Sequence, residues 1–336
     1  MSSGNLRLQV TAAPFAHSPR STAAIMRDVI LALLPAVLAS IWLFGLAAIL
    51  VLVTTILGAV LTDGLFGRQR WAGIKDGSAI LTGLLLALTL PPGIPLWMAL
   101  LGGVVGVGLG KVVWGGLGHN MFNPALVGRA FLQAAFPTVL TSWVEPQPGN
   151  LLALPSTTLG MPLQQAGVDV ISAATPLGLA KFQHTMTDTL PLFTGEIAGS
   201  LGETSALLLL LGGAFLAWRR ALDWRIPIAT FASVALFSTL AWLVWPTLPP
   251  PQFMLFSGGL VLGAVYMATD PVSSPTTPMG AWVFGGGIGL LVVLIRNWGG
   301  LPEGVMYAIL LMNAAAPLIE RATQPRAFGR DERRIP

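Results

Sequence analysis

The sequence has no cysteine, only three histidines and two tyrosines, and so little charge that Asp, Glu, Lys and Arg make up 10% of its 336 residues. Without cysteine there is no disulfide, no thiolate nucleophile and no cysteine-ligated iron–sulfur cluster. Any electrons the chain handles must ride on another carrier. His17, His119 and His184 are scattered and show no metal-ligand spacing. A soluble domain carries roughly a quarter charged residues, so this chain cannot clothe a globular surface in charge. The net charge of +4 is too small to mark a nucleic-acid partner. A phosphate-binding glycine loop is missing too: Gly102-Gly103-Val104-Val105-Gly106 and Gly285-Gly286-Gly287 lie inside apolar blocks, where close helix packing explains them better. Before Val29 no apolar core of a signal peptide occurs.

What is present is apolar and comes in blocks: 54% of the residues are hydrophobic. Runs near 25–43, 46–62, 78–91, 95–114, 122–140, 203–218, 226–245, 253–270, 280–297 and 303–320 approach the roughly 20 residues a bilayer-spanning helix needs. The expected fold class is therefore an all-α integral membrane protein of about ten transmembrane helices, with membrane lipid as its surroundings. The third run stops early, at Pro91-Pro92, and the eighth at Asp270-Pro271. One sizeable loop, 141–202, remains between the fifth and sixth runs.

Positive charge fixes the expected orientation, because basic segments next to spans stay cytoplasmic. With the N-terminus inside, every Lys and Arg except Arg129, Lys181 and Arg296 falls on the cytoplasmic side. Loop 141–202 then faces the periplasm with Glu145, Asp169, Asp188 and Glu196 against Lys181. Tryptophans at span ends, such as Trp97, Trp114, Trp143, Trp218, Trp245 and Trp298, suit the headgroup level.

The chain also repeats itself. Trp114-Gly115-Gly116 matches Trp298-Gly299-Gly300, Ala134-Ala135-Phe136-Pro137 resembles Ala314-Ala315-Ala316-Pro317, and Pro91 corresponds to Pro271. Five spans separate equivalent points, so the second copy enters the bilayer inverted, with broken helices at matching positions. The expected organisation is a cytoplasmic segment 1–24, a first five-helix repeat 25–140, the periplasmic loop 141–202, an inverted second repeat 203–320 and a basic cytoplasmic tail 321–336. Pro91 should sit near the outer side and Pro271 near the inner side, covered by protein or lining a cavity.

Charged and amide groups within spans are functional candidates by default. Asn123, Asp270 and Asn313 either line a flavin or ion path or cap helix starts, since Asn-Pro and Asp-Pro are capping sequences. Arg129 needs an acid or phosphate partner, or must reach back to the surface.

The loop contains Asp169-Val170-Ile171-Ser172-Ala173-Ala174-Thr175. Taken alone it is a turn of small and hydroxylated residues. It resembles the flavinylation motif, Asp-x-x-Ser/Thr-Gly-Ala-Thr, of redox-driven ion pumps, with Ala173 in place of the glycine. Gly118-His119-Asn120-Met121-Phe122-Asn123-Pro124-Ala125, Tyr266-Met267-Ala268-Thr269-Asp270-Pro271-Val272-Ser273 and Pro302-Glu303-Gly304-Val305-Met306, with Asn313 and Pro317, extend the likeness. They are similar to segments of the family that comprises RnfD of the Rnf complex and NqrB of the Na⁺-translocating NADH:quinone reductase. The resemblance implies an electron-transfer subunit in the bacterial inner membrane. It would carry FMN joined by a phosphoester to Thr175, within the motif Asp169, Ser172, Ala173 and Ala174. A non-covalent riboflavin is also found in the family. Implied partners are subunits bearing iron–sulfur centres and a second FMN, with a flavin transferase for maturation. Electron flow between ferredoxin and NAD would be coupled to Na⁺ or H⁺ translocation. The rival reading is a urea- or ammonium-type channel, which shares the inverted-repeat plan and needs no redox group.

Overall fold

A computed structural model describes residues 21–67, 72–162, 174–183, 185–195, 197–203 and 205–325. In chain order the helices are α1 (Thr22–Phe66), α2 (Ala72–Lys75), α3 (Ser78–Leu88), α4 (Leu96–Val107), α5 (Pro124–Ala135), α6 (Pro137–Leu140), α7 (Pro176–Gly178) and α8 (Thr189–Thr194). They continue with α9 (Ala206–Trp218), α10 (Arg225–Val244), α11 (Pro251–Phe256), α12 (Leu260–Leu262), α13 (Pro278–Trp298) and α14 (Val305–Thr323). Single π-helical turns, Gly108–Val112, Leu179–Gln183 and Gly263–Met267, continue α4, α7 and α12. Among the described residues there is no strand. Helices α1, α10, α13 and α14 are long and apolar enough to cross a membrane, and α3, α4 with its π turn, and α9 are shorter apolar helices.

The 45-residue α1 is two helices in one. Gly45 has φ 59° and ψ −138°, a conformation that a side chain resists. The backbone groups freed by this break are taken up by the segment after α6: Gln147 N donates to Leu43 O at 2.8 Å, Gly149 N to Trp42 O, and Ala47 N to Ala153 O. A Cβ on Gly45 would lie 2.4 Å from Asn150 O. The first two expected runs therefore form helices joined by one glycine rather than by a loop.

Glycines then set how closely the helices approach. A Cβ at Gly103 would meet Thr55 O at 2.4 Å, joining α4 to the second half of α1, and one at Gly289 would meet Thr230 O at 2.6 Å, joining α13 to α10. Such contacts let backbones touch where lipid gives no hydrophobic push between helices. Gly102, Gly106 and Gly128 do the same between α4 and α5.

Helix α3 has 11 residues, about 16 Å at 1.5 Å per residue, roughly half the hydrocarbon thickness. Its C-terminal carbonyls cannot be left bare at that depth. Leu201 N donates to Leu90 O and Gly202 N to Leu88 O at 2.6 Å. The eighth expected span is likewise interrupted. It divides into α11, a break at Ser257–Gly259 with φ 63° at Gly258, and α12 with its π turn. The fifth run breaks at Phe136, between α5 and α6. The two halves of the chain are clamped where α1 begins: Arg219 Nε and Nη2 each lie 3.2 Å from the buried Asp28 carboxylate.

Candidate functional site

Two polar regions are built into this apolar body. The first surrounds Thr175. Its side chain caps α7, with Oγ1 accepting from Gly178 N at 3.1 Å, and Pro176 fills the first helical position, where its missing N–H costs nothing. Gly178 takes part because a Cβ there would sit 3.1 Å from Thr175 Oγ1. Thr175 is 8% exposed and lines a cavity of about 460 Å³ with Ala174, Arg129, Gln183, Glu303 and Tyr307. Asp169, Ser172 and Ala173 lie outside the described residues.

Arg129 on α5 is 6% exposed. Its Nη2 lies 3.7 Å from Glu303 Oε2, beyond hydrogen-bond length, and its Nη1 has no acceptor among the described residues. Glu303 stands in the turn before α14, not within the last span, with the Glu203 carboxyl beside it. Arg296, from the last turn of α13, completes the cluster and donates to Met254 O at 2.6 Å and Ser257 O at 2.9 Å across the break before α12.

Lys181 holds the Thr175 segment in place. Its Nζ donates to Arg296 O at 2.9 Å, Leu301 O at 3.0 Å, Ile295 O at 3.4 Å and Gly299 O. Arg296 O lies in the last turn of α13, where carbonyls run out of helical partners. Ile295 O already accepts from Gly299 N, and Gly299 and Leu301 follow the helix. A cation there also meets the negative end of the helix dipole. Burial pushes the Lys181 ammonium down from the ordinary lysine range.

The second region joins the three polar residues singled out from the spans. Asn123 Oδ1 caps α5 by accepting from Ala125 N and Leu126 N, while its Nδ2 donates to Met267 O at 3.1 Å. Asn313 Oδ1 accepts from Asn123 N, and Asn313 Nδ2 donates to Ser273 O at 2.9 Å. Asp270 accepts from Val272 N and Ser273 Oγ. It closes a turn rather than opening a helix. Asn123 and Asp270 also line a small cavity of about 70 Å³ with Ser78, Lys111, Asn120 and Tyr266, and Asn120 Oδ1 is buried there without a donor among the described residues. Asn123 thus caps α5 and also lines this small cavity, with Asn313 behind it.

A family model described as "NQR2, RnfD, RnfE family" matches residues 9–329. The chain belongs to that family. A relative from Escherichia coli O17:K52:H18 (strain UMN026 / ExPEC) is 40% identical over 345 residues, covering 96% of this chain and 98% of its own. One from Yersinia enterocolitica serotype O:8 is 40% identical with the same coverage, and one from Escherichia coli O81 is 39% identical. Each is described as a subunit of the ion-translocating oxidoreductase complex. With its long apolar helices, this member of the NQR2, RnfD, RnfE family is a multi-pass membrane protein.

Within the family member's two polar regions, Thr175 and Ala174 fall in one and Asn123, Asp270 and Asn313 in the other. Glu203, Gln183 and Tyr307 were not legible beforehand. Arg129 was the available signal, because a guanidinium so deep in a span demands an acid, and the acid proves to be Glu303.

Proposed function

We propose that this chain is the RnfD-type electron-transfer subunit of an Rnf-type complex in the bacterial inner membrane, carrying FMN as a phosphoester on Thr175. The carrying observation is that the threonine ending the Asp169–Thr175 motif lines a cavity of about 460 Å³ beside a buried arginine with an unused donor. That volume lies within the 300–1,000 Å³ typical of small-molecule sites. The residues fit the group: a hydroxyl for the ester, a guanidinium for the phosphate, and Tyr307, Trp143 and Phe182 among the walls for a flat ring. The flavin would supply one- and two-electron chemistry that a cysteine-free chain lacks. The chain's own part is to hold the attachment point against α7, screen it from water and balance charge with Arg129 and Glu303.

The names of the relatives support partnership with further Rnf subunits, and the resemblance adds iron–sulfur and second-FMN carriers, a flavin transferase, and Na⁺ or H⁺ as the translocated ion. Ten spans in two inverted repeats agree with the matched contacts: Gly103 on Thr55 and Gly289 on Thr230, Lys111 ending α4 and Arg296 ending α13. In this reading both termini are cytoplasmic and loop 141–202 is periplasmic. At about 70 Å³ the Asn120–Asn123–Asp270 cavity does not fit a riboflavin, so of the flavin and ion readings of these residues the ion path is the one that its size supports.

Co-expression with the transferase tests the attachment. The band should fluoresce after denaturing electrophoresis, and Thr175→Ala should be dark. A mutant band as bright as the parent refutes the assignment to Thr175.

A further inference from the structure

We propose that Arg129 is the anion-binding residue of the Thr175 cavity, and that its guanidinium holds the phosphate of the group carried there. The inference rests on the flavin reading of Thr175 and goes beyond it by assigning a partner to the phosphate.

Two guanidiniums, those of Arg129 and Arg296, face Glu303: Arg129 Nη2 lies 3.7 Å from its Oε2, and Glu303 Oε1 and Arg296 Nη2 both border Gly258. A phosphodiester would bring one negative charge to this pair of cations.

Donor capacity leads to the same place. Arg296 commits both terminal nitrogens, donating to Met254 O and Ser257 O, and only its Nε, which does not line the Thr175 cavity, is buried without an acceptor among the described residues. Arg129 does not. Among the described residues its ion pair is the 3.7 Å approach of Nη2 to Glu303, and Nη1 is buried there without an acceptor. A buried donor left unmade costs about 1–3 kcal/mol, and a charged one more, so such a group is retained where a ligand completes it. A planar guanidinium matches two phosphate oxygens at once. Arg129 lines the cavity that Thr175 also lines, and the phosphate is the part of the ester bonded directly to that threonine.

The test uses full-length protein purified from cells lacking the transferase, so that Thr175 is free. FMN and riboflavin, which differ by the phosphate, are titrated separately and followed by flavin fluorescence. The parent protein should bind FMN about tenfold or more tightly than riboflavin, as expected for one charge-assisted contact. Arg129→Met should erase the preference, and Arg129→Lys should restore part of it. Lys keeps the charge and guards against a folding defect in the neutral variant. Equal affinities in the parent, or a preference that survives Arg129→Met, overturn the proposal. Intact mass of protein co-expressed with the transferase reports separately on the ester. A missing FMN mass at Thr175 overturns the reading beneath, whereas a full FMN mass with no phosphate preference overturns Arg129 alone.

Discussion

Lys111 Nζ lies 2.8 Å from Asp63 Oδ1, and both side chains are almost fully buried. The pair joins the π turn after α4 to the last turn of α1, and Lys111 also donates to Ser78 Oγ at the start of α3. Removing one partner strands a buried charge, which costs about 3–5 kcal/mol. Asp63→Asn and Lys111→Met should each lower the unfolding temperature in detergent clearly, and the double variant should recover part of the loss. Additive losses in that cycle would show the two charges do not depend on each other.

Close helix packing makes an equally sharp expectation. Gly103→Ala and Gly289→Ala force a methyl against Thr55 O and Thr230 O, and overpacking of this kind costs about 1–3 kcal/mol. Gly286→Ala, on the same helix as Gly289, meets nothing within 4 Å. Thermal unfolding should separate the first two variants from the third, which should match the parent.

Tyr266 donates its hydroxyl to Leu209 O at 2.9 Å, in a setting where it is 4% exposed. Tyr266→Phe removes the donor and leaves that bond unmade, so a loss of about 1 kcal/mol is expected by the same unfolding assay. No change would mean that Leu209 O finds another donor.

Lys181→Met removes the ammonium that gathers four carbonyls at the end of α13. Steady-state fluorescence anisotropy of the flavinylated protein should fall, and protease should cut near residues 174–183 faster than in the parent. The yield of covalent flavin, measured on a denaturing gel, should be less affected than its mobility.

The long apolar helices were legible because periodicity hardly matters when a helix is apolar all round. The breaks were legible only where proline or a Gly-rich turn announced them. Gly45 was hidden, since a glycine among alanines and leucines looks like helix interior; only the left-handed φ and the carbonyl of Asn150 reveal its role. Thr175 was legible through a local motif. Its cavity was not, because Arg129, Gln183, Glu303 and Tyr307 come from distant parts of the chain. The interaction of Asn123 with Asn313, 190 residues apart, was likewise invisible to any reading of spacing, although both residues stood out as amides in spans.

The anchoring of residues 201 and 202 to the carbonyls of α3 has a consequence for traffic through the protein. Downstream of Thr175 the chain is pinned twice within thirty residues, by Lys181 on α13 and by Leu201 and Gly202 on Leu90 and Leu88. A cofactor mounted there, as proposed above, would have no swinging arm. Its redox partners would have to dock within reach of that fixed berth, and shuttling would fall to neighbouring subunits.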